Sequence, residues 1–293
     1  MGTEMRTRYL PSLTNWEAEE YLKRNDVIFI PVGTVEMHGA LPMNCEYIFA
    51  EALALKAAEE CDGLVLPNLT YFAPGGTDIG RGTVYMSITE GYSYLRVLAH
   101  SLLKQGFRRQ VYITAHGPAY QTIIPMVFQF LDEEKVPIYH ADVLRLFKDT
   151  GFDLGSKMEV FDEMIYGAYK ILGRLSEVPV GLCENPQVMI NPGSDLSHCM
   201  PEGILNDLYS LKGGGYYTSW KYGNVHEHEN IVRVRSQEEL MEAAAVGEAK
   251  IDEFVAAADF HRRLESLKKL DEFHQKEVIP RYGEWAFHDV TRG

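Results

Sequence analysis

Between residues 30 and 46 the chain reads Ile-Pro-Val-Gly-Thr-Val-Glu-Met-His-Gly-Ala-Leu-Pro-Met-Asn-Cys-Glu, so Glu36, His38 and Glu46 follow directly on an apolar run. An imidazole between two carboxylates at the end of a strand can build a cation site. Mixed nitrogen and oxygen donors suit zinc, manganese or iron better than calcium or magnesium. The spacing alone is equally compatible with a solvated turn. Cys45, beside these residues, is read as a small packed thiol in preference to a fourth ligand. A second histidine, His116, comes immediately after another apolar run, Gln110–Thr114. Residues in this position, just past a strand, share an address in parallel sheets, where ligands bind beyond the carboxyl ends of the strands.

The elements that must position these groups are visible in the apolar pattern. Val27–Val32 is a short continuous apolar run, as expected of a strand buried on both faces. Gly63–Leu66, Gln110–Thr114 and Pro137–His140 read as further strands. Between them, residues 15–24, 46–60, 91–105 and 120–134 read as helices, the first with Asn15 as N-cap and the third ending near Gly106. Strand and helix alternate over the first 150 residues, which argues for a mostly parallel sheet covered on both faces. Residues 236–257 form a further helix, with Ser236 and Glu239 as a capping box. The expected organisation is one α/β domain over residues 1–257, followed by a helical extension over 258–293 packed on it or on a neighbouring subunit.

Composition narrows the partners. The chain has 293 residues, 46% apolar and 24% charged, with a net charge of −14. That acidity repels nucleic acid and anionic membranes. No apolar run reaches transmembrane length and no secretory leader is visible, so a cytoplasmic protein is expected. Cys45, Cys61, Cys183 and Cys199 have no CxxC spacing and fit reduced thiols.

The motifs together resemble the creatininase family of metal-dependent amidohydrolases. The family's P-x-G-x-x-E-x-H-G segment, then L-P and an Asp, is matched by Pro31, Gly33, Glu36, His38 and Gly39, then Leu41-Pro42 and Glu46. Gly82-Thr83, Gly106-Phe107-Arg108 and Ala115-His116-Gly117 match further family features in the same order. The resemblance spans roughly residues 8 to 170. It implies a three-layer α/β/α fold and two divalent ions, zinc, manganese or iron. Glu36 and His116 would hold one ion and His38 the other, with Glu46 bridging. A further family glutamate from a later helix is matched best by Glu163, with Asp162 as the alternative. It also implies a homo-oligomer, with a hexamer as the expected size.

The departures from the family concern the groups that face the substrate. Pro118 and Ala119 stand where the family has Gly-Asn, and the histidine that precedes the P-G-T turn is missing. Creatinine itself is therefore not assumed as the substrate. The chemistry implied is attack of metal-activated hydroxide on a carbonyl of a small polar ring. The motif version here is most similar to members of inositol catabolism, which points to C–C hydrolysis of a cyclic diketone such as 3-dehydro-scyllo-inosose. Cyclic amide hydrolysis is the first alternative, and a non-catalytic ligand-binding protein on the same fold is the second. Residues 193–229, rich in glycine, aromatics and histidine, are the expected specificity region. Within it His198 would protonate the leaving group, a role for which Glu163 is the other candidate. Tyr217 and Trp220, with Arg81 and Thr83 from the first half, would contact substrate.

Overall fold

The computed structural model describes residues 5–38, 40–74, 82–155, 159–181 and 234–283. The apolar runs become four parallel strands in the order β2-β1-β3-β4: β1 Val27–Pro31, β2 Leu64–Val65, β3 Arg109–Thr114 and β4 Tyr139–Asp142. In register, Phe29 lies opposite Val65 on one side and Val111 on the other, and Ile113 faces Ala141 on β4. Every residue of β1 is buried, as a strand covered on both faces requires.

Side chains alternate across the sheet, so the core divides into two layers. Val27, Phe29, Val65, Val111, Ile113 and Ala141 point to one face. That face is covered by α2 (Cys45–Glu60), α5 (Val143–Thr150), α6 (Glu159–Ile171), α7 (Gln237–Ala258) and α8 (Phe260–Phe273). Ile28, Ile30, Val32, Leu64 and Tyr112 point to the other, against α1 (Asn15–Leu22), α3 (Ile88–Lys104) and α4 (Tyr120–Glu134). The fold is thus a three-layer α/β/α arrangement around a parallel sheet, as expected.

Local chemistry accounts for where the helices begin. The cap of α1 is Thr14, not Asn15: its hydroxyl accepts from the Glu17 amide while the Glu17 carboxylate accepts from the Thr14 amide. This reciprocal pair satisfies two donors at once and so displaces Asn15 to the first helical position. The same device, Ser87 with Glu90, starts α3 three residues before the expected 91. Helix α2 is rich in small residues: Ala50, Ala52, Ala54, Ala57 and Ala58 are all buried, and the helix packs on the sheet, α6 and α7. α6 and α7 cross at Gly167 and Gly247. A methyl on Gly247 would lie 1.7 Å from the Glu163 carbonyl oxygen, so the two backbones touch with no room for a side chain. Beyond α7, Phe260 returns to the sheet and meets Phe29 edge-on at 5.8 Å between ring centres. A π turn and a further short helix, α9 (Ile279–Tyr282), follow α8. Among the described residues no helix is long and apolar enough to cross a membrane.

Candidate metal centre

Beyond its last paired residue β1 continues as residues 32–38, held on every side by backbone hydrogen bonds. Val32 N–H donates to Ile113 O at 2.8 Å and Gly33 N–H to Leu69 O at 2.9 Å. Val84 N–H donates to Val35 O at 3.1 Å, and Met37 N–H donates to the Thr83 hydroxyl at 3.2 Å. The loop then closes on itself: Leu41 N–H reaches His38 O, Cys45 N–H reaches Pro42 O, and Glu36 N–H reaches Met43 O, all at 3.0–3.1 Å. This double turn brings the start of α2, with Glu46, back over Glu36 and His38.

Gly33 lets the helix come that near. A Cβ there would sit 2.4 Å from the Cβ of Tyr47 and 2.7 Å from its Cα, a separation no side chain tolerates. The start of α2 is anchored from the other side by Asn44, whose amide oxygen accepts from the Tyr169 hydroxyl of α6 and whose Nδ2 donates to Tyr47 Oη at 3.2 Å.

Glu36, His38 and Glu46 offer ligand atoms that all lie within 4.8 Å of one another, and Glu36 and His38 are buried. His38 Nδ1–H donates to the backbone carbonyl of Glu36 at 3.0 Å, so Nε2 is the ring nitrogen turned to the carboxylates. It stands 3.6 Å from Glu36 Oε1 and 3.6 Å from Glu46 Oε1. His116, fully buried at the end of β3, is oriented the opposite way round. Its Nε2–H donates to Ala73 O at 2.9 Å, leaving Nδ1 at 2.5 Å from Glu46 Oε2 and 3.6 Å from Glu36 Oε1. The two oxygens of Glu46 thus face two different histidines.

Electrostatics follow from this crowding. Burial disfavours a charged His116 ring, but the carboxylates of Glu46 and Glu36 outweigh it and raise its pKa to about 9. Burial likewise opposes charge on His38, while Cys45 and Glu46 beside it carry the net shift upward. Burial alone would raise Glu46; the two histidines reverse this and hold it well below the usual carboxylate range. With no cation the cluster is neutralised by protons on imidazole. A divalent ion would take the place of those protons, because a ligating imidazole must be neutral.

The donor set fits a borderline cation on the structure's own terms. Each imidazole has its tautomer fixed by a backbone carbonyl, which is how metal-binding histidines are usually oriented. Each turns its other ring nitrogen to the same pair of carboxylates, and both rings are buried. Such a set at the carboxyl ends of parallel strands defines a candidate divalent-cation centre. Residues 11–166, more than half of the chain, match the family described as creatininase, creatinine amidohydrolase, and the chain belongs to that family. No curated protein matches it. Among solved structures it is similar to creatinine amidohydrolase (creatininase), with 19% identity, a TM-score of 0.55, and 85% of this chain and 96% of the other covered. A structure titled "Creatininase Mn" gives 19%, 0.52, 85% and 97%. A putative creatinine amidohydrolase from Bacteroides fragilis NCTC 9343 gives 17%, 0.50, 87% and 98%. These likenesses establish a shared fold.

The other expected site residues lie elsewhere or out of view. Glu163 is half-buried on α6, with its carbonyl against Gly247, and it is not part of the compact Glu36, His38 and Glu46 group; Asp162 is buried on the same helix. Thr83 accepts the Met37 amide, which makes it a brace for the ligand loop. Arg81, His198, Tyr217 and Trp220 fall outside the described residues, as does the whole segment 193–229. Two contributions escaped the sequence reading. The Ala73 carbonyl comes from a segment with no motif, and only the fold shows that it meets His116. Gly33 was visible as part of the P-x-G pattern, but its reason, the approach of Tyr47, was not.

Proposed function

We propose that the protein opens a small polar ring by hydrolysis at a carbonyl carbon, and that the scissile bond is the C–C bond of a cyclic diketone of the 3-dehydro-scyllo-inosose type. The observation that carries the hydrolytic reading is the buried meeting of Glu36, His38, Glu46 and His116 at the ends of β1 and β3. One divalent ion, held by Glu36 and His116, and a second, held by His38, with Glu46 spanning both, would lower the pKa of a water and polarise the carbonyl under attack.

The residues themselves do the rest. The carbonyls of Glu36 and Ala73 fix the two rings, so no reorientation is needed as charge develops. Burial of both histidines keeps bulk water from competing for the site. The leaving group needs a proton, for which His198 and Glu163 remain our two candidates.

The choice of bond rests on what surrounds the cluster. After His116 the chain enters a 3₁₀ turn, Gly117–Ala119, in which Pro118 has no amide hydrogen and Ala119 no side-chain amide. A site built to bind an amide ring by hydrogen bonds would keep such groups; a carbon leaving group stabilised by a neighbouring ketone has less need of them. The family's own description, creatinine amidohydrolase, favours the second reading, C–N hydrolysis of a cyclic amide. Incubation of metal-loaded protein with cyclic diketones and cyclic amides separates the two. C–C hydrolysis yields a carboxylate and no amine, whereas release of a new amine would overturn the first reading in favour of the second. Turnover of neither, by a fully metallated protein, would leave a ligand-binding role.

A further inference from the structure

Helix α2 begins without the cap that its flanking asparagine could provide. Thr14, Ser87, Asp142, Ser236 and Asp259 each accept the backbone amide three residues on with their side chains. Asn44 is as able a cap as any of these, yet it makes no such bond. Its backbone, at φ −98° and ψ 7°, is turned out of the extended conformation that capping uses. The side-chain amide is committed elsewhere. Oδ1 accepts from the Tyr169 hydroxyl of α6, and Nδ2 donates to Tyr47 Oη at 3.2 Å and lies 3.5 Å from Glu177 Oε2. The far end of each contact is itself fixed. Tyr169 is fully buried, which keeps its phenol protonated and a donor. Two residues earlier α6 meets α7 at Gly167, where an added methyl would lie 2.3 Å from the Glu248 amide nitrogen. Tyr47 lies beside Arg174, whose guanidinium carbon is 5.8 Å from the ring centre and which grips Glu177 through two hydrogen bonds at 2.6 and 2.8 Å.

What this frame holds in place is Glu46, two residues on. Its Oε2 meets His116 Nδ1, and its Oε1 stands 3.6 Å from His38 Nε2. One carboxylate on a flexible side chain must therefore address two rings that other elements fix. We propose that Tyr169 and Asn44 are positioning residues for this carboxylate: they set the first turn of α2 so that Glu46 can span two cations, and Asn44 forgoes the helix cap to do so. The inference rests on the reading of this cluster as a two-ion centre. A ligand set needs its donors placed to within about 0.5 Å, which a neighbouring shell of hydrogen bonds secures. A shift of the first turn leaves Glu36, His38 and His116 in place but takes an oxygen of Glu46 away from its histidine. The ion assigned to Glu36 and His116 keeps two ligands outside α2. The ion assigned to His38 shares Glu46 as its other ligand, so it is the one that loses affinity when the frame is cut.

Manganese(II) electron paramagnetic resonance reads the bridge directly, because two manganese ions joined by a carboxylate couple and their hyperfine lines close up relative to an isolated ion. Full-length wild type loaded with manganese should show the coupled signal. Tyr169→Phe keeps the ring and its packing and removes only the hydroxyl. It should show mainly the isolated-ion signal at the same loading, with the affinity for the tighter ion unchanged and that for the weaker ion lower on the order of tenfold. Asn44→Ala should behave alike. Tyr9→Phe is the control: it removes a hydroxyl that donates to Glu51 Oε1 at 3.0 Å, further along the same helix, and should keep the coupled signal. A coupled signal and both affinities unchanged in Tyr169→Phe, whatever its melting temperature, would overturn the assignment while leaving the centre standing. Equal loss of the signal in Tyr9→Phe would overturn it too, since any loosening of α2 would then suffice. A wild type that binds manganese without coupling, or binds none, would remove the two-ion centre and this role with it.

Discussion

At the scale of single residues, the four groups that meet at the centre were legible because their types are rare in apolar surroundings and their positions follow strands. The types and spacing of Glu36, His38 and Glu46 allowed a cation site as readily as a solvated turn, and the resemblance of the motifs, His116 included, decided between the two. What sequence could not show is how their rings are turned, because the partners are backbone carbonyls, which carry no residue signature. Two predictions belong here. Glu36→Gln removes a charge that stabilises a cation while keeping the shape, so metal affinity should fall 10- to 100-fold or more, as read by competition with a chelating dye, with little change in the far-ultraviolet dichroism. The second concerns protons. In the metal-free protein His116 titrates near 9, so below that pH it carries a proton that a metal must displace. Apparent affinity should therefore rise with pH through the neutral range, and calorimetry in buffers of different ionisation heat should show proton release on binding. An affinity independent of pH between about 6 and 9 would contradict this.

At the scale of elements, the apolar runs marked the strands and the Ala- and Leu-rich stretches the helices, because each period reflects a burial pattern that the fold preserves. Their edges moved where side chains competed with simple periodicity. Thr14 captured the cap expected at Asn15, and Ser87 began α3 early. β4 runs from Tyr139 to Asp142, later than the expected 137–140, because Pro137 has no amide for the ladder and the carboxylate of Asp142 caps α5. The spacing between β1 and α2 is the element-level feature on which the centre depends. Gly33→Ala would force Tyr47 and the start of α2 away, and we expect a loss of roughly 1–3 kcal/mol in stability together with weaker metal binding, measured by denaturant unfolding and metal titration.

The joint between α3 and α4 offers a pH test. Burial tends to raise Glu133, but the Arg96 fork, Gln129 and His100 outweigh it and lower its pKa to about 2. A carboxylate depressed on folding contributes stability that is complete above its unfolded pKa of about 4.3 and is lost as pH falls toward its folded value. The pair is partly exposed, so its worth is on the order of 1 kcal/mol. The unfolding midpoints of wild type and Glu133→Gln should differ at pH 6 and converge as the pH drops from about 4 to about 2.

At the scale of the whole molecule, the centre is assembled from distant parts of the chain: β1 and its loop, the start of α2, the Ala73 segment and the end of β3. The parallel sheet was expected from strand–helix alternation, but its order, which juxtaposes β1 and β3, came from the structure. The way α7 and α8 close over the sheet was not legible, since it depends on backbone contact at Gly167 and Gly247 and on the return of Phe260 to Phe29. The most direct test of the account is the metal content of purified protein, measured by elemental analysis in wild type and in His38→Ala. The account predicts about two divalent ions per chain, with a clear fall in the variant. A wild type that holds no tightly bound metal, and takes none up when zinc, manganese or iron is supplied, would contradict it.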